Sequence, residues 1–220
     1  MKQFERRVYS QNGEDGIIEE IFCRIGVTNR FFVEFGVQDG VECNTRLLRE
    51  TGWSGVCFDS ACQNKYVNRF FLTAENINDV FASFGVPAEF DLLSIDVDGN
   101  DFWLWKALTS CFPRCVVIEY NAQLPPKKRL TIPYQARFKW KRRPHDDFFG
   151  ASLGALIELG RDKGYSYICV NEWLNNRYVN AFFVKSEYSC KFAEAIPPQT
   201  AFLRYRHDEL KSLQLIDPFV

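Results

Sequence analysis

Histidine is scarce in this sequence: only His145 and His207 occur among its 220 residues. A metal site built from several histidines is therefore excluded, and any catalysis must depend on carboxylates, amides or a single imidazole. The eight cysteines include no CxxC pair and lie mostly in apolar segments. This distribution favours reduced thiols in the core over disulfides or a zinc site.

Long apolar runs are also absent. No segment approaches the roughly 18 apolar residues of a membrane span, and the polar start MKQFERRVYSQNGEDG has no signal-peptide core. The net charge of -1 and the pI near 6.2 exclude a protein that is basic overall, so affinity for polyanions requires a local patch. We therefore expect a cytoplasmic protein with no membrane span. Its 46% hydrophobic content is sufficient for one domain over residues 1–220.

Short β-branched or aromatic runs alternate with helix-like segments, which is typical of a mostly parallel α/β sheet. The predicted strands are 31–35, 55–59, 69–73, 90–96, 115–120, 165–171 and 178–185, and the predicted helices are 14–25, 43–51, 76–84, 101–110 and 150–163. Only EWLNNR separates the last two strands, which is too short for a crossover helix. The pattern predicts a seven-stranded sheet that ends in an antiparallel hairpin.

The turn after the first strand reads EFGVQDG, residues 34 to 40. A dinucleotide fingerprint would require glycines at positions 38 and 41, which are glutamine and valine here. The turn retains Glu34, Gly36 and Gly40, and the next strand ends in Asp59, at a spacing that suits the paired hydroxyls of a ribose. This combination favours a nucleoside ligand over a purely structural turn.

Five segments resemble the class I S-adenosylmethionine-dependent methyltransferases and, within them, the FkbM-type branch. They are SQNGEDGII (10–18), FVEFGVQDGVECNTRLL (32–48), GWSGVCFD (52–59), FDLLSIDVDGND (90–101) and VVIEYN (116–121). The resemblance covers most of residues 10 to 185. It implies a Rossmann-like, seven-stranded methyltransferase fold with flanking helices, and S-adenosylmethionine as the cofactor.

The resemblance also implies roles for individual residues. It places Glu34, Gly36, Gln38 and Gly40 around the methionyl part of the cofactor, Asp59 at the ribose, Glu75 and Asn76 near the adenine, and Asp96 before the sulfonium. Further cofactor contacts are expected from Gln11, Asp15, Asp39, Asn44 and Ser60.

Acidic and amide side chains follow the fourth and fifth predicted strands: Asp96, Asp98 and Asp101 in IDVDGND, and Glu119 and Asn121 in IEYN. Since open α/β sheets bind ligands at the carboxyl ends of their strands, we expect this cluster to face the transferred methyl group. Asp96 and Glu119 are the predicted catalytic carboxylates, and Asp98 and Asn121 are predicted to contact the acceptor. A magnesium site of Asp96, Asp98, Glu119 and Asn121 stays open as the less favoured alternative.

Residues 121–149 lack clear periodicity and are long for a connector, which predicts a lid or substrate loop. Its basic residues are Lys127, Lys128, Arg129, Arg137, Lys139, Lys141, Arg142 and Arg143. They form either a solvated face or a site for an anionic acceptor, which Lys139, Arg142 and Arg143 would contact. His145 follows them and is a candidate general base, because the ordinary pKa of histidine is about 6.5.

The sequence therefore predicts a methyltransferase that modifies an oxygen atom of a sugar, glycan or other small anionic acceptor. Two alternatives stay open: a non-catalytic nucleoside-binding or scaffolding module, and an RNA methyltransferase recruited through the basic loop. Nucleic acid is disfavoured because the basic residues form one loop and not a full face. The predicted parts are an N-terminal helical segment (1–29), the basic loop (121–149) and a C-terminal arm (186–220). The oligomeric state is not defined by the sequence.

Overall fold

The computed structural model describes residues 1–140, 148–171, 178–193 and 214–220. In chain order the helices and strands are α1 (Glu14–Ile25), β1 (Phe31–Phe35), α2 (Arg46–Glu50), β2 (Ser54–Asp59), β3 (Val67–Arg69), α3 (Ile77–Ser83), β4 (Glu89–Ile95), α4 (Asp101–Ala107), β5 (Phe112–Asn121), α5 (Leu153–Asp162), β6 (Tyr165–Val170) and β7 (Tyr178–Lys185). Two 3₁₀ helices flank this series of strands and α-helices: Lys2–Phe4 precedes α1, and Ser186–Phe192 follows β7.

The seven strands form one sheet in the order β3-β2-β1-β4-β5-β7-β6. Strands β1 to β5 are parallel, whereas β7 is antiparallel to both of its neighbours, β5 and β6. The predicted seven-stranded, mostly parallel sheet with a terminal antiparallel hairpin is therefore confirmed. The strand order reverses between β1 and β4, which is the position where open α/β sheets bind ligands beyond the carboxyl ends of their strands.

Helices cover both faces of the sheet. Successive apolar residues along each inner strand point to opposite faces and so belong to two different cores. In β1, Val33 belongs to the core under α3, α4 and α5, while its neighbour Phe32 belongs to the core under α1. Phe81 of α3 and Trp105 of α4 are buried in the first core, and Ile17 of α1 is buried in the second. This double coverage explains why the strands read as nearly continuous apolar runs.

Two predicted elements differ from the structure near the ligand-binding edge. The third strand, predicted over 69–73, spans Val67–Arg69 in the structure. Phe70 donates one more N–H to the Asp59 carbonyl oxygen (2.8 Å), after which the chain leaves the sheet. The helix predicted over 43–51 begins only at Arg46. The preceding backbone N–H groups of Asn44 and Thr45 bind the Glu34 carboxylate instead.

The basic loop is attached to the rest of the molecule at Thr131. This residue forms antiparallel bridges with both Ala151 and Ile216, so the chain end at 214–220 lies beside the loop. Residues 194–213 of the predicted C-terminal arm lie outside the described ranges. None of the helices in the described part of the chain has the length and apolar character that a membrane crossing requires.

Candidate functional site

A cavity of about 610 Å³ lies beyond the carboxyl ends of β1, β2, β4 and β5. Its wall includes Gly36, Asp59, Asp96 and Glu119, each within two residues of the end of one of these strands. Its volume falls within the range of small-molecule binding sites.

The turn after β1 contacts the end of β4 through Gly36. Gly36 has a φ of +84°, and a Cβ atom there would lie 1.4 Å from the carbonyl oxygen of Asp96. Two residues later, Gln38 has a φ of +52°, a left-handed conformation that glycine adopts more readily. The backbone N–H of Gln38 donates to Asp59 Oδ2 at 2.9 Å, so the turn is joined to β2 as well as to β4.

Glu34 holds the segment after this turn. Its carboxylate accepts hydrogen bonds from the N–H groups of Asn44 and Thr45 (both 2.9 Å), from Thr45 Oγ1 (2.5 Å) and from Ser94 Oγ (3.2 Å). Burial raises the pKa of this carboxyl, although these hydrogen bonds oppose the increase. Four donors fill the roughly four acceptor positions of a carboxylate, so Glu34 borders the cavity without a free position for a ligand.

Asp59 differs from Glu34 because it keeps acceptor capacity. Its Oδ1 accepts the N–H groups of Ala61 (2.8 Å) and Cys62 (3.0 Å), and its Oδ2 accepts that of Gln38. Three donors leave about one acceptor position on a half-buried carboxylate at the cavity wall. Ser60 lines the cavity beside it.

An apolar wall faces the same space. It consists of Phe58, Phe70, Phe71 and Leu72, of which Phe58 and Phe70 meet edge to face with ring centroids 6.5 Å apart. We define Phe70, Phe71 and Leu72 as the apolar wall segment. The sequence pattern predicts a strand over these residues, whereas the structure places them outside the sheet. The sequence feature that indicates such a wall is an apolar run at the carboxyl end of a strand, next to the ligand-binding edge of the sheet.

Three carboxylates converge where β4 and β5 end. Asp96, Asp101 and Glu119 each place one oxygen within 4.8 Å of the oxygens of the other two. Burial, followed by the charges of neighbouring carboxylates, raises the pKa of Asp96 and Glu119 well above their ordinary values. Burial also raises the pKa of Asp101 to about 6. We call these three residues the acid cluster.

Asp101 lies at the start of α4 but does not cap it. The N-cap residue is Asn100, and Asp101 is the first residue of the helix. The Asp101 carboxylate accepts the N–H groups of Val97 (2.8 Å) and Gly99 (2.9 Å), which precede the helix. It therefore fixes the loop between β4 and α4.

A buried polar network that the sequence patterns do not predict lies behind the acid cluster. Glu14 Oε1 accepts hydrogen bonds from Nδ2 of Asn171 and Nδ2 of Asn180, both at 2.9 Å, and Glu14 Oε2 accepts the N–H of Asn12 at 2.8 Å. Glu14, Asn12 and Asn180 line the cavity. Their positions at 12, 14 and 180 gave no local signal, because only the tertiary fold brings α1 to β7.

Most of the predicted site residues lie on the cavity wall. These are Gln11, Glu34, Gly36, Gln38, Asn44, Asp59, Ser60, Asp96, Asp98, Glu119 and Lys139. Arg142, Arg143 and His145 lie outside the described residues. Their assigned roles stay predictions.

Six predicted site residues do not line the cavity: Asp15, Asp39, Gly40, Glu75, Asn76 and Asn121. Asp15 Oδ2 accepts three backbone N–H groups from residues 8 to 10, which fixes the entry to α1. Asn76 donates to the Phe71 carbonyl oxygen and so supports the apolar wall segment from behind. Glu75 accepts the hydroxyl of Tyr134, and Asn121 donates to the Phe149 carbonyl oxygen.

The basic loop reaches the cavity through Phe138, Lys139 and Trp140. Phe138 packs closely over Gly99, where a Cβ atom would lie 2.3 Å from its ring. Arg129 instead forms an ion pair with Asp217 at 2.9 Å. Among the basic residues of this loop that the structure describes, Lys139 is the one at the cavity wall.

No family model and no curated protein matches the chain. Solved structures do match. A provisionally named hemolysin from Lactococcus lactis has 11% identity and a TM-score of 0.50, covering 89% of this chain and 97% of that one. A magnesium protoporphyrin IX methyltransferase from Synechocystis PCC 6803, solved with bound S-adenosylmethionine, has 10% identity and a TM-score of 0.43, covering 79% and 78%. At such identities, similarity bears on the fold and not on activity.

Proposed function

We propose that the chain is an S-adenosylmethionine-dependent methyltransferase of the FkbM type that modifies an oxygen atom of a sugar, glycan or other small anionic acceptor. One observation carries the proposal. Asp59, the apolar wall segment and the Asp96 and Glu119 members of the acid cluster line a single cavity at the point where the strand order reverses. The cavity thus combines an acceptor for a ribose hydroxyl, an apolar surface for a base and negative charge for a cationic sulfur.

The residues present fit this cofactor. The remaining acceptor position of Asp59 suits a ribose hydroxyl, and the rings of Phe70 and Phe71 suit a flat base. Asp96 lies at the end of β4, where its ionised carboxylate would stabilise a sulfonium and an ammonium group. Gln11 and Asn44 offer polar contacts to an amino-acid moiety. When bound, S-adenosylmethionine supplies a methyl group on an electrophilic sulfur.

The chain's own contribution to the reaction is positioning and proton transfer. Alignment of an acceptor oxygen with the methyl donor in this cavity would supply much of the acceleration in such a transfer. Because burial raises the pKa of Asp96 and Glu119, either carboxylate is a stronger base than an exposed one and can accept the proton of an acceptor hydroxyl. Lys139 would hold an anionic group of the acceptor, together with Arg142 and Arg143. His145 remains an alternative base.

Calorimetric titration with S-adenosylmethionine, S-adenosylhomocysteine and NAD tests the cofactor. We expect the first two ligands to bind and NAD not to bind. Asp59→Asn should weaken binding at least about tenfold, because it removes a charged hydrogen-bond acceptor. Asp79→Asn changes an exposed carboxylate of α3 away from the cavity and should bind like the parent.

Other results would redirect the proposal. Failure of both adenosyl ligands to bind would remove the methyltransferase assignment. Binding without methyl transfer to any phosphorylated, glycan or nucleotide-linked acceptor would favour a non-catalytic nucleoside-binding module. RNA binding that weakens steeply with salt would favour the RNA methyltransferase.

A further inference from the structure

The acid cluster has the dimensions of a cation site. Its three carboxylate oxygens lie within 4.8 Å of one another, and two oxygens on opposite sides of a calcium-sized ion are separated by about twice 2.4 Å. Asp101 can still bind an ion, because each of its oxygens accepts one backbone N–H and retains a second lone pair. Three oxygens from three separate elements can therefore bind a single ion.

A second observation points to a ligand at the same place. Asn180 of β7 pairs directly with Glu119 of β5 and lines the same cavity. Its Oδ1 is buried without a hydrogen-bond partner, and so is Glu119 Oε2. Burying two such oxygens on paired residues costs free energy unless a cation or a hydrogen-bond donor outside the protein binds them.

The orientation of the Asn180 amide is fixed. Its Nδ2 donates to Glu14 Oε1, which also accepts Nδ2 of Asn171. A flipped amide would place the Asn180 oxygen against the Glu14 carboxylate, which is unfavourable. Because the Glu14 carboxylate is fully buried, it requires this N–H donor from Asn180. The Asn180 oxygen therefore points away from Glu14 and stays available to a ligand.

Charge balance favours a cation over an empty cluster. The three carboxylates of the cluster are close together, and no ion pair found within the described ranges includes any of them. Adjacent carboxylates repel each other when both are ionised, so the cluster needs either protons or a metal ion. At neutral pH a divalent ion offsets more of this charge than a shared proton.

We propose that Asp96, Asp101 and Glu119, together with the amide oxygen of Asn180, form a divalent-cation site. Carboxylate and amide oxygens are the ligands of Mg²⁺, Mn²⁺ and Ca²⁺. The set differs from the magnesium alternative derived from the sequence, because Asp101 and Asn180 replace Asp98 and Asn121. The amide of Asn121 is engaged by the Phe149 carbonyl oxygen and the Gln123 N–H.

The cation's role in catalysis rests on the proposed function, whereas its binding does not. A bound divalent ion would hold an oxygen of the acceptor and lower the pKa of its hydroxyl, so that the proton leaves more easily. Asp96 and Glu119 would then both be metal ligands and not the base.

Manganese binding to the metal-stripped chain, followed by electron paramagnetic resonance near neutral pH, tests the site. We expect one Mn²⁺ per chain with a Kd of about 10⁻⁴ M or tighter, displaced by Mg²⁺ or Ca²⁺. Glu119→Gln and Asn180→Ala should each weaken binding at least about tenfold. Glu42→Gln is the matched control, because Glu42 lines the cavity but pairs with Arg7 (2.5 Å) outside the cluster. It should bind Mn²⁺ like the parent.

The absence of stoichiometric Mn²⁺ binding would overturn the site, and so would equal affinity in the parent and both cluster variants. Titration of the same samples with S-adenosylhomocysteine separates this result from the proposed function. A chain that binds the nucleoside but not Mn²⁺ retains the methyltransferase proposal and loses the cation site. A chain that binds Mn²⁺ but not the nucleoside retains the site alone.

Discussion

At the scale of single residues, burial changes the chemistry of carboxyl groups that look alike in the sequence. Glu34 is surrounded by four donors, whereas Glu119 has one buried oxygen with no hydrogen-bond partner. Both acids lie within two residues of the end of an apolar strand, Glu34 in β1 and Glu119 in β5. The difference arises from neighbours on other elements, which local sequence does not reveal.

The acid cluster predicts a pH dependence of stability. Because the pKa of Asp101 rises to about 6 and those of Asp96 and Glu119 also rise, the metal-free folded chain binds more protons than the unfolded chain above pH of about 4. The free energy of unfolding should therefore fall, by about 2 kcal/mol or more, as the pH increases from about 4 through 6. Urea denaturation of the chelator-treated chain across this range measures the slope.

Glu119→Gln should flatten this slope, whereas Glu42→Gln should leave it unchanged. Carboxyls with a lowered pKa do not obscure the test. Asp91 is an example: burial alone would raise its pKa, but hydrogen bonds from Arg114, Thr28 and Arg30 lower it. Such groups lose their stabilising effect only as the pH falls further, below the window of the acid cluster. A stability that rises between pH 4 and 6 would contradict the prediction.

Gly36 predicts a backbone requirement at the cavity. Gly36→Ala should lower the free energy of unfolding by about 3 kcal/mol or more, because the added Cβ would meet the Asp96 carbonyl oxygen at 1.4 Å. Gly85→Ala is the matched control, since Gly85 also has a positive φ (+65°) but no atom lies within 4 Å of the added carbon. It should cost only about 1 kcal/mol. Equal losses of stability in urea denaturation would show that the contact with β4 is unimportant.

At the scale of elements, the sequence predicted best where a periodic pattern ends at a glycine. Helix α1 has the predicted bounds, because its apolar residues recur at helical spacing between Gly13 and Gly26. Strand β1, which ends directly before Gly36, also has the predicted bounds. Strand β3 was predicted too late in the chain, because an apolar run indicates burial and does not distinguish a strand from a cavity wall.

The opposite edge of the sheet contains a buried ion pair that joins three elements. Arg114 of β5 donates to Asp91 of β4 at 2.8 Å and to the carbonyl oxygens of Ile25 (2.8 Å) and Gly26 (2.7 Å) at the end of α1. Both charged side chains are almost inaccessible to solvent. Removal of one partner would therefore leave a buried charge without its counterion.

Arg114→Met should lower the free energy of unfolding by about 3 to 5 kcal/mol. Lys185→Met provides a matched control: it breaks an ion pair with the exposed Glu89 and should cost no more than about 1 kcal/mol. Guanidinium denaturation measures both changes. Cofactor affinity should stay at the parental value, because Arg114 does not line the cavity. A loss below 1 kcal/mol for Arg114→Met would mean that the ion pair does not join these elements.

At the scale of the whole molecule, the chain end supports the basic loop. Ile216 exchanges two backbone hydrogen bonds with Thr131 (2.9 and 3.0 Å), Asp217 pairs with Arg129, and Phe219 packs edge to face on Phe102. The loop that brings Lys139 to the cavity is thus joined to residues far away in the sequence.

Truncation of this chain after residue 213 should lower the free energy of unfolding by about 1 to 3 kcal/mol. It removes the two bridging hydrogen bonds, one ion pair and one buried aromatic contact. Deletion of Val220 alone is the control, because its side chain is fully exposed. The urea midpoints of the two truncated chains measure the difference. Equal midpoints would show that residues 214–219 do not stabilise the loop.

The sequence by itself determined the order of helices and strands, the mostly parallel sheet and its terminal hairpin, because these depend on local hydrophobic periods and connection lengths. It also identified the first turn and Asp59, which lie at recognisable positions after two strands. Only the tertiary structure decided that Glu14, Glu119 and Asn180 meet. Their meeting depends on the pairing register of β5 with β7 and on the packing of α1, both of which join residues distant in the chain.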